Sequence, residues 1–196
     1  RLLAFHSVSQ IGYIITALGI AIIETGEVSI LAMTGGTYHM INHAIFKSLL
    51  FLTAGAILYT TGTTDLDSLS GLGKKMPITF ITFFISALSL TGIPLFAGFI
   101  SKYYLIDAAF KDGNILTYLG VAALIISALL TAIYSLSIVF RAFLNEPNDH
   151  NKEKVEKAHD GDIKFSLPII VFSALCLIFG IFSSGLIEVV SSLVSL

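Results

Sequence analysis

Apolar residues in this chain come in long runs, and the polar residues gather in short stretches between them. The first run spans about Leu2 to Ile23 and ends at the acidic turn "ETGE", Glu24 to Glu27. The second spans about Val28 to Tyr59 and is followed by "TTGTTDLDSLSGLGKKMP", closed by Pro77. A third run, about Ile78 to Phe110, stops at "KDGN". The fourth, about Ile115 to Phe143, and the fifth, about Phe165 to Val190, flank the charged stretch "NEPNDHNKEKVEKAHDGD". A helix needs roughly 20 apolar residues to cross a bilayer. The pattern therefore predicts an all-α transmembrane protein of five membrane-spanning helices, with one membrane domain over residues 1–196 and a polar cytoplasmic loop over 145–164.

Two runs exceed the thickness of the hydrocarbon core. At about 1.5 Å per residue, the second must tilt, bend at Gly35-Gly36 or project beyond the bilayer. The third contains "LTGIPLFAGFISK", in which Pro94 lacks the N–H of a continuing helix and Gly92 and Gly98 favour a local break. This predicts a helix broken at the Gly/Pro stretch, followed by a second half-helix. Broken backbone at that depth is tolerated where it is buried in protein or lines a polar cavity.

Composition agrees with the pattern. Hydrophobic residues make up 55% of the chain and charged residues 12%, against about a quarter charged in a soluble domain. The mean hydropathy is +0.89. A formal net charge of −2 gives no basis for nucleic-acid binding. The single cysteine, Cys176, lies in an apolar run and has no metal-ligand spacing around it. The chain carries no P-loop, dinucleotide fingerprint, CxxC pair or nucleophile elbow. No cofactor is therefore expected in this chain, and any redox chemistry of a parent complex would lie elsewhere. Five alternating crossings put Arg1, Lys74, Lys75, Arg141, Lys152, Lys154, Lys157 and Lys164 on one side and Lys111 on the other. The positive-inside rule makes the first side cytoplasmic and leaves the C-terminus outside. Without an initiator Met, and with Arg1 leading straight into an apolar run, the chain is expected to be a piece of a longer protein or one product of a split gene.

The chemistry sits inside the apolar runs. "YHMINHAIFKSLLFL", residues 38–52, spaces His39, His43 and Lys47 four apart, which stacks them on one helix face in a column about 12 Å tall. Each ionisable group at bilayer depth costs about 2.5 to 3.5 kcal/mol on insertion scales, so a column of three calls for a polar cavity or partners. Histidine passes a proton from one ring nitrogen to the other, and a lysine in low dielectric gives up its proton more readily than one in water. Lys102 follows the Gly/Pro break, where half-helix ends commonly form ion sites. Asp107 is its expected auxiliary partner. In "FHSVSQIGY", His6, Ser9, Gln10 and Tyr13 share a polar face, an interhelical hydrogen-bonding surface or a hydrated wall of the same path. His6 is thus an auxiliary relay candidate. His150 and His159 fall in the charged loop and are assigned nothing, and Glu188 is placed at the outer interface.

Four segments, "RLLAFHSVSQIGYII", "HMINHAIFKSLLFLTAGAI", "LSGLGKKMP" and "SLTGIPLFAGFISK", follow in the order found in the antiporter-like subunits of respiratory complex I. Residues 1 to about 110 resemble that family, which extends to membrane-bound hydrogenases and Mrp-type cation/proton antiporters. The remainder matches only as hydrophobic helices. The resemblance implies a fold of fourteen core helices with two inverted repeats, of which this chain corresponds to the last five helices. It implies that Lys47 matches the lysine linking two half-channels, that His39 and His43 match the histidines before it, and that Lys102 matches the lysine on the second broken helix. Many relatives follow that lysine with an acidic residue, where Tyr103 stands here. The first repeat, with its glutamate–lysine pair, would have to come from the rest of a longer chain or from another polypeptide.

The expected function is proton translocation by a subunit of a multi-subunit redox-driven pump in a prokaryotic cell membrane, through a His39, His43, Lys47 and Lys102 relay. Its expected partners are other membrane subunits, the lipid bilayer and protons. One alternative is an Mrp-type sodium/proton antiporter subunit, with sodium as a transported ion. Another is a scaffold fragment that transports nothing.

Overall fold

The computed structural model describes residues 2–147 and 152–195, so Arg1 and His150 lie outside the described residues. The first run forms α1 (Leu2–Ile23) and the second forms α2 (Gly26–Thr61). Two single 3₁₀ turns, Leu66–Ser68 and Leu72–Lys74, lead to α3 (Pro77–Thr91) and α4 (Ala97–Asp112). Next comes α5 (Ile115–Val139), which widens into a π turn at Phe140–Leu144. A six-residue helix, α6 (Lys152–Lys157), sits in the charged loop before α7 (Ile163–Ile181) and α8 (Ser183–Val194). Four of the helices, α1, α2, α5 and α7, are long and apolar enough to cross a membrane. The fold is all-α and transmembrane; the broken pair α3–α4 supplies the remaining apolar element of the expected five.

Helix α2 is the centre of the bundle, packing against α1, α3, α4, α7 and α8. It is one continuous helix through Gly35 and Gly36, and these glycines serve close approach. A Cβ on Gly36 would lie 2.5 Å from the Ala17 Cβ of α1, and one on Gly35 would lie 2.9 Å from the Tyr104 Cβ of α4. Without a hydrophobic driving force between helices in lipid, such small-residue contacts are what let two backbones pack.

The core gathers Phe46, Leu49 and Leu50 of α2 with Leu72, Met76, Phe83, Leu90, Phe143 and Cys176. Helix α5 is different, exposing Leu119, Ile126, Leu129, Leu130 and Ile133. Such a surface suits lipid or another membrane element. The charged loop is tied down by Asp160, whose carboxylate accepts from the backbone N–H groups of Ile78 (2.8 Å) and Thr79 (3.0 Å) and from the Thr79 hydroxyl (2.8 Å). Pro77 opens α3, and the Asp160 carboxylate satisfies orphan donors of the first turn from outside the helix.

The third run is broken as expected, between Thr91 and Ala97. The fifth run corrects the expectation of one helix, because it splits at Phe182 into α7 and α8. Ser183, Ser184 and Gly185 follow Phe182, and weak helix formers there hold the chain poorly in one continuous rod.

Candidate functional site: a basic column at a broken helix

The break begins with backbone hydrogen bonding. Helix α3 ends at Gly92 (φ +84°), whose N–H donates to Ser89 O at 3.2 Å, while the N–H of Ile93 reaches back to Leu88 O at 3.2 Å. This paired closure with a left-handed glycine is a Schellman cap. Pro94 follows, and Leu95 also takes a left-handed φ of +79°, a conformation costly for a residue with a Cβ. The cap leaves the carbonyls of Leu90 and Thr91 without helical donors. Lys102, one turn into α4, supplies them: its Nζ donates to Leu90 O at 2.9 Å and to Thr91 O at 2.8 Å. Its stem packs where a Gly92 side chain would stand, with Cδ 2.8 Å from an ideal Cβ. The lysine thus sits at the C-terminal end of a half-helix, where the dipole favours a cation.

Helix α2 presents the other basic groups. His39 is fully buried, and Lys47 is 6% exposed. The rings of His39 and His43 stack with centroids 6.3 Å apart, and Phe46 packs edge-on against both. Lys47 Nζ donates to Leu3 O of α1 at 2.6 Å and lies 5.7 Å from the Phe51 ring. No carboxylate pairs with Lys47 or Lys102 among the described residues.

Two residues join the α2 column to Lys102. Ser101 Oγ, fully buried, lies 2.9 Å from His39 Nδ1 and 3.2 Å from Gly98 O. A hydroxyl has one proton. Donated to Gly98 O, it leaves Oγ to accept from His39 Nδ1–H; turned to His39, it fits the opposite tautomer. Tyr13 of α1 stacks on His39 with centroids 4.9 Å apart, and its ring also faces Lys102 Nζ at 5.1 Å. Its hydroxyl donates to Leu124 O of α5 at 2.6 Å. Asn42, beside His43, donates to Ala97 O at the start of α4 at 3.0 Å. Several buried atoms remain without a hydrogen-bond partner among the described residues: His39 Nε2, His43 Nε2, Asn42 Oδ1 and Gln10 Oε1. Unpaired buried polar atoms of this kind are what internal water satisfies. Beside Lys102, a cavity of about 340 Å³ opens between Tyr13, Thr91, Gly92 and the apolar face of α5.

The structure therefore brings His39, His43, Lys47 and Lys102 into one neighbourhood. Asp107 does not join them. It lies 3.6 Å from Lys111, which pairs with Glu27 of α2 at 2.5 Å. Five residues along a helix turn a side chain about 140° away from Lys102, whereas four bring Asp107 onto the Lys111 face. His6 is buried and bonded to Thr131 of α5. Ser9 turns its hydroxyl back to the His6 carbonyl. Glu188 is exposed on α8. Sequence alone did not single out Ser101, Asn42 or the bridging position of Tyr13; hydroxyl and amide groups are common in membrane helices, and only docking of α1 and α4 onto α2 gives these a role.

Residues 1–138 match the family model described as NADH:quinone oxidoreductase/Mrp antiporter, TM. Among curated proteins, the chain is 35% identical over 192 residues to an NADH-quinone oxidoreductase subunit L of Rickettsia conorii, covering 95% of this chain and 25% of that protein. It is 41% identical over 180 residues to a Na(+)/H(+) antiporter subunit of Alkalihalophilus pseudofirmus, covering 92% of this chain and 34% of that one. Among solved structures, a chain of the Mrp complex from a Dietzia species superposes with a TM-score of 0.84 at 29% identity, covering 98% of this chain and 41% of that chain. The chain thus spans a quarter to a third of the length of these curated relatives. A match through the basic column and the broken helix, carried by sequence and fold alike, makes this chain a member of the NADH:quinone oxidoreductase/Mrp antiporter transmembrane family.

Proposed function

We propose that this chain forms part of a proton-translocating membrane subunit in a multi-subunit redox-driven pump, and that protons move along His39, His43, Lys47 and Lys102. One observation carries the reading: four basic side chains from α2 and α4 lie buried or half-buried together, their lysines held by carbonyls and aromatic rings instead of carboxylates. A carboxylate would lock a lysine as a fixed cation, whereas carbonyl partners support both charged and neutral forms. A proton arriving at the column passes between histidine nitrogens and Lys47, crosses at the His39–Ser101 contact and leaves by Lys102 and its cavity. Charge changes at neighbouring sites bias each transfer through the low dielectric. The basic residues of the loops favour a cytoplasmic side for Lys74, Lys75 and the 145–164 stretch, with the C-terminus outside, in a prokaryotic cell membrane.

A second reading is a sodium/proton antiporter subunit, supported by the 41% identity to the Alkalihalophilus antiporter protein and the TM-score of 0.84 to an Mrp complex chain. Transport by the complete complex in sealed vesicles separates the two. On the pump reading, redox turnover acidifies the vesicle lumen without sodium, and Lys102→Ala lowers the rate about tenfold or more. An absolute sodium requirement with no electron donor selects the antiporter, and wild-type transport by Lys102→Ala discards the relay.

A further inference from the structure

Outside the column, one ionisable group has the surroundings of a carrier. His6 of α1 is 4% exposed, inside an apolar helix. The carbonyl that holds Lys47, Leu3 O, is one turn away on the same helix. His6 Nε2 is 3.1 Å from Thr131 Oγ1 of α5 and 3.4 Å from Gln10 Nε2. Thr131 donates its one proton to Ser127 O at 2.7 Å. Its oxygen then accepts from His6 Nε2–H in the tautomer that leaves Nδ1 a bare acceptor, whereas the Gln10 amide N–H, which only donates, fits the tautomer with Nε2 bare. Rotation of the same hydroxyl toward His6 fits the reverse tautomer.

His6 Nδ1 is buried with no partner among the described residues, and so is the hydroxyl of Tyr134. The two rings are neighbours, edge to face at 5.2 Å. Together with Phe5 and Ser9 they line an open groove of about 510 Å³. A histidine bound on one nitrogen to an internal hydroxyl, with its other nitrogen unpaired beside an open groove, suits proton transfer in a way that a purely structural hydrogen bond does not require.

We infer that His6 is a further proton-carrying residue, linking the His39–His43–Lys47 column to a lateral mouth between α1 and α5. The ring takes a proton at one nitrogen and releases the one held on the other, ending in the opposite tautomer. This rests on the relay reading above.

The test uses the complete protein in its membrane complex, reconstituted in vesicles, with His6→Gln, His6→Ala and Lys102→Ala compared at equal assembly. His6→Gln keeps a hydrogen bond to Thr131 but cannot carry a proton. Both His6 variants are expected to transport about tenfold more slowly than the unaltered complex. Added imidazole, small enough for the groove, is expected to restore His6→Ala and not His6→Gln. Wild-type transport by His6→Gln, or a loss in His6→Ala that imidazole does not relieve, gives His6 a packing role and overturns the inference. With Lys102→Ala still impaired, that failure leaves the relay reading standing. Wild-type transport by Lys102→Ala would overturn the relay itself.

Discussion

At the residue scale, the site depends on how a few polar atoms are satisfied. Lys102 is held by the two carbonyls that the Schellman cap of α3 leaves free, so the lysine and the break are one feature. Ser101 is the hinge of the contact between α2 and α4. Ser101→Ala leaves His39 Nδ1 unpaired in a buried place, at a cost of about 1 to 3 kcal/mol. It should lower the thermal stability of the purified subunit and slow transport several-fold, with Ser101→Thr restoring both. Transport unchanged in the alanine variant would remove Ser101 from the path. The four basic positions were legible in the sequence because charge in an apolar run is rare and costly. Ser101 was not, since a serine in a membrane helix commonly bonds its own backbone, as Thr16, Thr53 and Ser135 do here. The Asp107 partner was misjudged because proximity in sequence outweighed the angle around the helix.

At the element scale, the broken helix requires close backbone contact. A Cβ on Gly98, in the first turn of α4, would fall on the Ser89 carbonyl oxygen at the end of α3. Gly98→Ala is therefore expected to force the two half-helices apart and displace Lys102. Little folded subunit should be recovered from membranes. Gly55, on α2, has nothing within 4 Å of its ideal Cβ, so Gly55→Ala should be recovered normally and gain up to about 1 kcal/mol of helix propensity. Equal recovery of the two variants would show that α3 and α4 do not need this approach. Pro94 and its glycines made the break readable in advance. The division between α7 and α8 was hidden, because "GIFSSGLIEVV" keeps its apolar character through Phe182 and no proline marks the turn. The role of Gly35 and Gly36 was hidden for a related reason: a glycine pair admits a bend, and only the neighbouring helices reveal the tight contact it makes.

At the scale of the whole molecule, α2 holds one side of the column and carries α1 and α4 against it. Apart from the groove at His6, the exposed apolar faces of α1 and α5 remain for lipid or other membrane elements, consistent with relatives that are several times longer than this chain. Segment order was readable because the bilayer imposes long apolar runs; the way α1 closes over the histidines was not, because helix packing in lipid follows small-residue fit more than hydropathy. The central claim is that Lys47 and Lys102 serve one route in series. Its most direct test is proton uptake by vesicles carrying the complete complex with Lys47→Ala, Lys102→Ala and both together. Groups acting as a unit are non-additive. Each single variant should lose about tenfold or more, and the double variant should transport no worse than the weaker single one. Wild-type transport by either single variant, or losses that multiply in the double, would contradict the account.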